Sequence, residues 1–129
     1  MNKIIVEVSV GELLDKISIL EIKQDKIKDP EKLNFINNEH SILINQLKKN
    51  VKSDEKLEKL FQDLKDINAK LWVIEDEKRD CEKNKDFGEK FIKLSRDVHF
   101  LNDDRAKIKL EINTHTGSKI KEIKQYTNY

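Results

Sequence analysis

A chain with one cysteine cannot close an internal disulfide, so Cys81 excludes the disulfide-stapled class of small domains and indicates a reducing compartment. One proline and three glycines among 129 residues leave few helix breaks and no glycine-rich loop to cradle a phosphate. No Ser or Cys nucleophile motif is present. No apolar run approaches the roughly 18 residues that span a bilayer. The apolar start "MNKIIVEVSV" is too short for a secretory signal and Glu7 interrupts it. The chain is expected to be soluble and cytoplasmic, with no membrane partner.

Other chemistry is excluded by what does not cluster. The three histidines, His40, His99 and His115, lack His-x-x-x-His spacing, and one cysteine cannot build a zinc site. Glu12 with Asp15, and the "EDE" at 75–77, have spacings seen in helical magnesium sites. Acidic residues are so frequent here that chance supplies such spacings, so no metal and no cofactor is expected. Net charge is only +1, without the basic excess of nucleic-acid-binding domains, and lysines alternate with acids as on a solvated helix face. No nucleic-acid partner is expected.

What is abundant is charge, 40% of residues, together with Leu and Ile. That composition belongs to long amphipathic helices packed as a bundle or coiled coil. The length suits one domain, 1–129. "KIIVEVS" is β-branched and weakly alternating, which predicts a short N-terminal strand or an extended arm. Ser9 with Glu12 fits a capping box, and Val10, Leu13, Ile17, Leu20, Gln24 and Ile27 step by three and four, predicting helix 1 over about 9–28. Asp29-Pro30 ends it and opens helix 2 (30–49), with Leu33, Ile36, His40, Leu43 and Leu47 in line. A heptad seam through Leu57, Leu60, Leu64, Ile67, Leu71, Ile74, Lys78 and Cys81 predicts helix 3 (54–84). Asp86 and Glu89 offer a second capping box for helix 4 (87–116), whose seam is Phe87, Phe91, Leu94, Val98, Leu101, Arg105, Ile108 and Ile112. Gly117 suits a left-handed cap, and 118–129 is a tail.

The fold class is therefore all-α, an antiparallel bundle built on a long helix 3/helix 4 hairpin. Trp72, Ile92, Phe100 and Leu110 lie on the far side of their seams, which leaves two faces of the hairpin to bury. In a chain this short, self-association is the economical remedy, and a homodimer is expected.

Polar residues on seams are the remaining anomaly: Gln24, His40, Lys78 and Arg105 stand where the pattern asks for apolar side chains. Register control accounts for such residues generally, and a lysine near a helix end can snorkel to water. Arg105 is mid-helix and requires a carboxylate from a neighbouring helix or an anionic ligand. If its role is architectural, Arg105→Met should be neutral or stabilising, provided the partner acid can reach water. Arginine is rare against lysine here (Arg79, Arg96 and Arg105 only), as expected if it is kept where a planar fork is needed. A second cluster, Trp72, Glu75, Asp76 and Arg79, shares one helical stripe and reads as an interface anchor or a pocket wall.

The strings "VSVGELLDKISILEIK" (Val8 to Lys23), "LWVIEDEKRD", "FIKLSRDVHFLNDDRAKIKLEIN" and "SKIKEIKQY" together resemble a family of small bacterial proteins known as domain of unknown function 6165. The resemblance runs from Val6 to about Tyr126. It implies an all-helical domain and carries no activity, substrate or catalytic residue. The polar set it picks out is Glu12, Asp15, Lys16, Glu21 and Lys23, then Trp72, Glu75, Asp76 and Arg79, then Asn102, Asp103, Arg105, Lys109 and Asn113. Two functions follow. One is a homo-oligomeric helical module that binds another protein. The alternative is a small helical enzyme or binder of a phosphate- or carboxylate-bearing metabolite at Arg105, with Asn102 and Lys109 on adjacent turns.

Overall fold

The computed structural model describes residues 2–120 and 122–126. Four helices follow one another: α1 (Val10–Lys26), α2 (Pro30–Asn50), α3 (Glu55–Lys83) and α4 (Glu89–Thr116). There is no strand among the described residues, so "KIIVEVS" is an exposed arm leading into α1.

The helix ends follow local chemistry closely. The Ser9 hydroxyl accepts from the Glu12 amide at 3.0 Å, Asp29 caps α2 ahead of Pro30, and Asp54 accepts from the Leu57 amide at 2.8 Å. α4 stops at Gly117, whose φ of +67° turns the chain so that the Ser118 amide reaches the Asn113 carbonyl at 2.9 Å. The α3/α4 turn departs from expectation. Asp86 makes no helix cap: it accepts from the Gly88 amide, and α4 starts at Glu89. Phe87 therefore leaves the seam and stands half-exposed, edge-on to Phe91.

α3 and α4 form the long antiparallel hairpin, and at about 1.5 Å per residue the 29 residues of α3 extend about 43 Å. The 17 residues of α1 extend only about 25 Å, so α1 covers part of the hairpin. α1 packs against each of the other three helices, whereas α2 packs on α1 alone. The core gathers where α1 crosses: Leu14 and Ile17 against Leu57, Leu60, Leu64 and Ile112, flanked by Leu43, Ile44 and Leu47 of α2. Each such side chain, fully buried, contributes roughly 1.5–3 kcal/mol. No residue of α2 is fully buried. α1 therefore lies directly on the hairpin, and α2 backs it, adding Leu43, Ile44 and Leu47 to the edge of the core.

Its central place explains an unusual burial pattern. α1 buries Leu14, Ile17 and Leu20 on one side, and also a small and polar stripe, Gly11, Asp15 and Ser18, that runs on to Ile22. Glycine at position 11 is required by proximity, since a Cβ there would meet the Lys109 carbonyl oxygen at 2.7 Å. The N-terminus of α1 is pressed onto α4.

Candidate functional site

Asp15 is the centre of the only densely buried polar cluster among the described residues. Its side chain is 3% exposed. Arg105 grips it bidentately: Nε donates to Oδ1 at 3.0 Å, and Nη2 donates to Oδ2. Asn68 of α3 donates through Nδ2 to Asp15 Oδ1 and to the Ser18 hydroxyl, both at 2.8 Å, and that hydroxyl donates to the Asp15 carbonyl at 2.8 Å. Three helices thus meet on one carboxylate.

A second layer lies one turn further along α4. Lys109 Nζ donates to Glu12 at 2.8 Å and to Glu122 at 3.1 Å, and lies 3.7 Å from Asp15 Oδ2. The Asn113 side chain accepts from the Gly11 amide at 2.7 Å, and Ser118 takes the Val10 amide at 3.3 Å. With the Ser9 cap, the amides of Val10, Gly11 and Glu12 that open α1 are all engaged. The capping box is only half formed. Glu12 does not return to the Ser9 amide, because Lys109 holds its carboxylate.

The electrostatics follow from this geometry. Burial alone would raise the pKa of Asp15, but the bonds from Arg105 and Asn68 and the charges of Arg105 and Lys109 outweigh it and hold the carboxyl below its ordinary value. The hydrogen bonds that Arg105 donates to Asp15 raise its own pKa. Lys109 is raised too, because Glu12, Glu122 and Asp15 overcome its desolvation. All three groups are therefore charged at neutral pH.

The cluster unites Glu12, Asp15, Asn102, Arg105 and Lys109 of the residues marked by the sequence, Asn102 accepting from Arg105 Nη1 at 3.3 Å. Asp103 is one residue away and takes Lys124 at 3.4 Å. Lys16 is exposed. Glu75, Asp76 and Arg79 are exposed on α3 with no ion pair within 4 Å among the described residues, and Trp72 is half-buried, so this stripe forms no pocket with the cluster. The other polar seam residues are also paired or stacked. Gln24 donates to Asn37 at 3.0 Å, and His40 meets Glu21 at 3.0 Å while Lys65 reaches that same carboxylate at 3.2 Å. Lys78 lies over the Phe91 ring. Sequence reasoning missed Ser18 and Asn68. The signal available was the Gly11, Asp15, Ser18 stripe, which steps by four and three but contains nothing apolar.

An open groove passes the cluster between α4 and residues 122–126, lined by Asn102, Arg105, Lys109, Leu110 and Tyr126 among others. The two cluster cations on its wall are already matched: Arg105 and Lys109 contact three carboxylates, those of Asp15, Glu12 and Glu122. No buried side-chain nitrogen or oxygen among the described residues lacks a hydrogen-bond partner. Glu12 and Asp15, weighed above as magnesium ligands, spend oxygens on Lys109 and Arg105. Such a constellation ties α1, α3 and α4 together. No described helix is long and apolar enough to cross a membrane.

A family model described as "Family of unknown function (DUF6165)" matches residues 4–129. No curated protein and no solved structure matches the chain.

Proposed function

This chain belongs to the family of unknown function DUF6165, and from that premise we propose that it is a homo-oligomeric helical module whose work is binding protein, first a second copy of itself. The observation that carries this reading is an apolar stripe along α4 that α1 and α2 do not cover. Ile92 is 55% exposed, Leu110 47% and Phe100 38%. Phe100 has Arg96 over its ring at 5.9 Å, an aromatic and guanidinium pair of the kind that anchors interfaces. Such apolar side chains in a row mark an association surface. The polar cluster supports the same reading from the other side, since its charges are consumed in holding α1 to the hairpin.

The reading includes a reducing compartment, the cytoplasm, in keeping with a buried free thiol at Cys81. The metabolite-binding alternative is the weaker one, because Arg105 and Lys109 already donate to the carboxylates of Asp15, Glu12 and Glu122.

Light scattering at micromolar concentration should give about twice the chain mass of 15.3 kDa. Phe100→Glu with Leu110→Glu should return the mass to that of one chain while circular dichroism stays helical. A wild-type protein that scatters as a single chain would end this reading.

A further inference from the structure

The arm that precedes α1 is the most exposed apolar segment near the bundle. Ile4 is 89% exposed, Ile5 81%, Val6 69% and Val8 43%. No backbone–backbone hydrogen bond joins residues 2–8 to any other described residue. Ser9 fixes the base of this arm, being buried and committed to the α1 cap. A short β-branched run with unpaired amides and carbonyls is a template for strand pairing. The described chain has no sheet of its own to receive it.

We infer that the arm pairs antiparallel with the arm of a second copy, in the register that sets Ile5 opposite Ile5. Charge selects that register. It places Lys3 of each arm opposite Glu7 of the other, twice by symmetry, and Ile4 opposite Val6. Shifting by one residue sets Glu7 against an isoleucine or Lys3 against a valine. Parallel pairing in register opposes Lys3 to Lys3 and Glu7 to Glu7, which repels. The side-chain alternation of a strand then sorts the ribbon. Ile4, Val6 and Val8 form one wholly apolar face, and Lys3, Ile5 and Glu7 form the other. A two-stranded ribbon is marginal alone, so the apolar face is the one turned to the two helical bodies. This surface is separate from the α4 stripe, and either can fail without the other.

Cysteine cross-linking reads the register directly. Under mild oxidation Ile5→Cys should form a disulfide-linked dimer, while wild type, with its thiol buried at Cys81, should not. Ile4→Cys alone should link poorly, and mixing it with Val6→Cys should restore the link. Lys3→Glu and Glu7→Lys should each weaken self-association on the order of tenfold, two cross-strand pairs turning repulsive in each. The double variant Lys3→Glu/Glu7→Lys should recover it. Equal linking through positions 4 and 5, or single charge variants that associate as tightly as the double variant, would overturn the arm pairing. If those results came while Phe100→Glu with Leu110→Glu still gave single chains, the α4 stripe would stand and the arm would not.

Discussion

Arg105 and Asp15, 90 positions apart in the chain, meet through two side-by-side N–H···O bonds, and the acid is the more deeply buried of the two. That asymmetry reverses the expectation that methionine would be tolerated at 105. The tolerance depended on the acid reaching water, and Asp15 cannot. Arg105→Met should therefore destabilise the fold by about 3 kcal/mol, the lower end for breaking a buried pair, because Lys109 stays 3.7 Å away as partial compensation. Adding Asp15→Leu should recover most of the loss, since Asn68 keeps the Ser18 hydroxyl as a partner. Chemical denaturation of the two single variants and the double variant measures both numbers.

The same acid sets a pH dependence. Its folded pKa is depressed, so its contribution is fully present above the unfolded carboxyl value of about 3.9 and is lost as pH falls through the lower folded value. The urea midpoint should show no loss from this group between pH 7 and pH 5 and should drop steeply below about pH 4. Asp15→Asn should be less stable at neutral pH and flatter in acid. A mutant that kept the full acid slope would assign that slope to other carboxylates.

Gly11→Ala pits two effects against each other. Alanine is the better helix former by about 1 kcal/mol, but its Cβ would meet a backbone oxygen at 2.7 Å and the Asn113 side chain at 3.0 Å. Backbone cannot step aside as a flexible side chain can, so the clash should win, with a net loss of about 1–2 kcal/mol. Thermal melts decide it, and an unchanged midpoint would mean that α1 slides on α4 freely.

Lys85 offers the opposite case. Its φ of +53° closes the end of α3, where the Asp86 amide reaches the Cys81 carbonyl at 2.8 Å. A residue with a side chain gives up roughly 1 kcal/mol in that conformation. Lys85→Gly should raise the melting temperature by several degrees, because 1 kcal/mol corresponds to about 4 °C in a domain this size.

Much of this architecture is written in spacing and punctuation. Asp29-Pro30, Asp54 and Gly117 act locally, on amides and carbonyls a few residues away, so the bounds of α1 to α3 and the end of α4 were legible to within two residues. At the 84–88 turn the place was as close but the capping was not legible, because Asp86 bonded the Gly88 amide instead of capping α4. Arg105 was legible as a residue in need of an acid; the identity of the acid was not. Asp15 stands on α1's second buried side, where Gly11 and Ser18 allow close approach, and a search for apolar periodicity does not register small or polar residues. Asn68 was hidden for the same reason, beside the α3 seam rather than on it.

Because α1 is central, order of synthesis matters. On a ribosome α1 is made ahead of the other three helices, yet Asn68 and Arg105 follow Asp15 by 53 and 90 residues, and Lys109 follows Glu12 by 97. At roughly 5–20 residues per second, the wait for Arg105 lasts about 5–20 s. During it Leu14 and Ile17 can gather α2 and then Leu57, Leu60 and Leu64 of α3, while Asp15 still lacks its arginine. The bundle therefore completes its polar centre late, when the last helix arrives to meet the first. A nascent-chain force measurement should register a pulling event after α4 clears the exit tunnel, and none at the completion of α2.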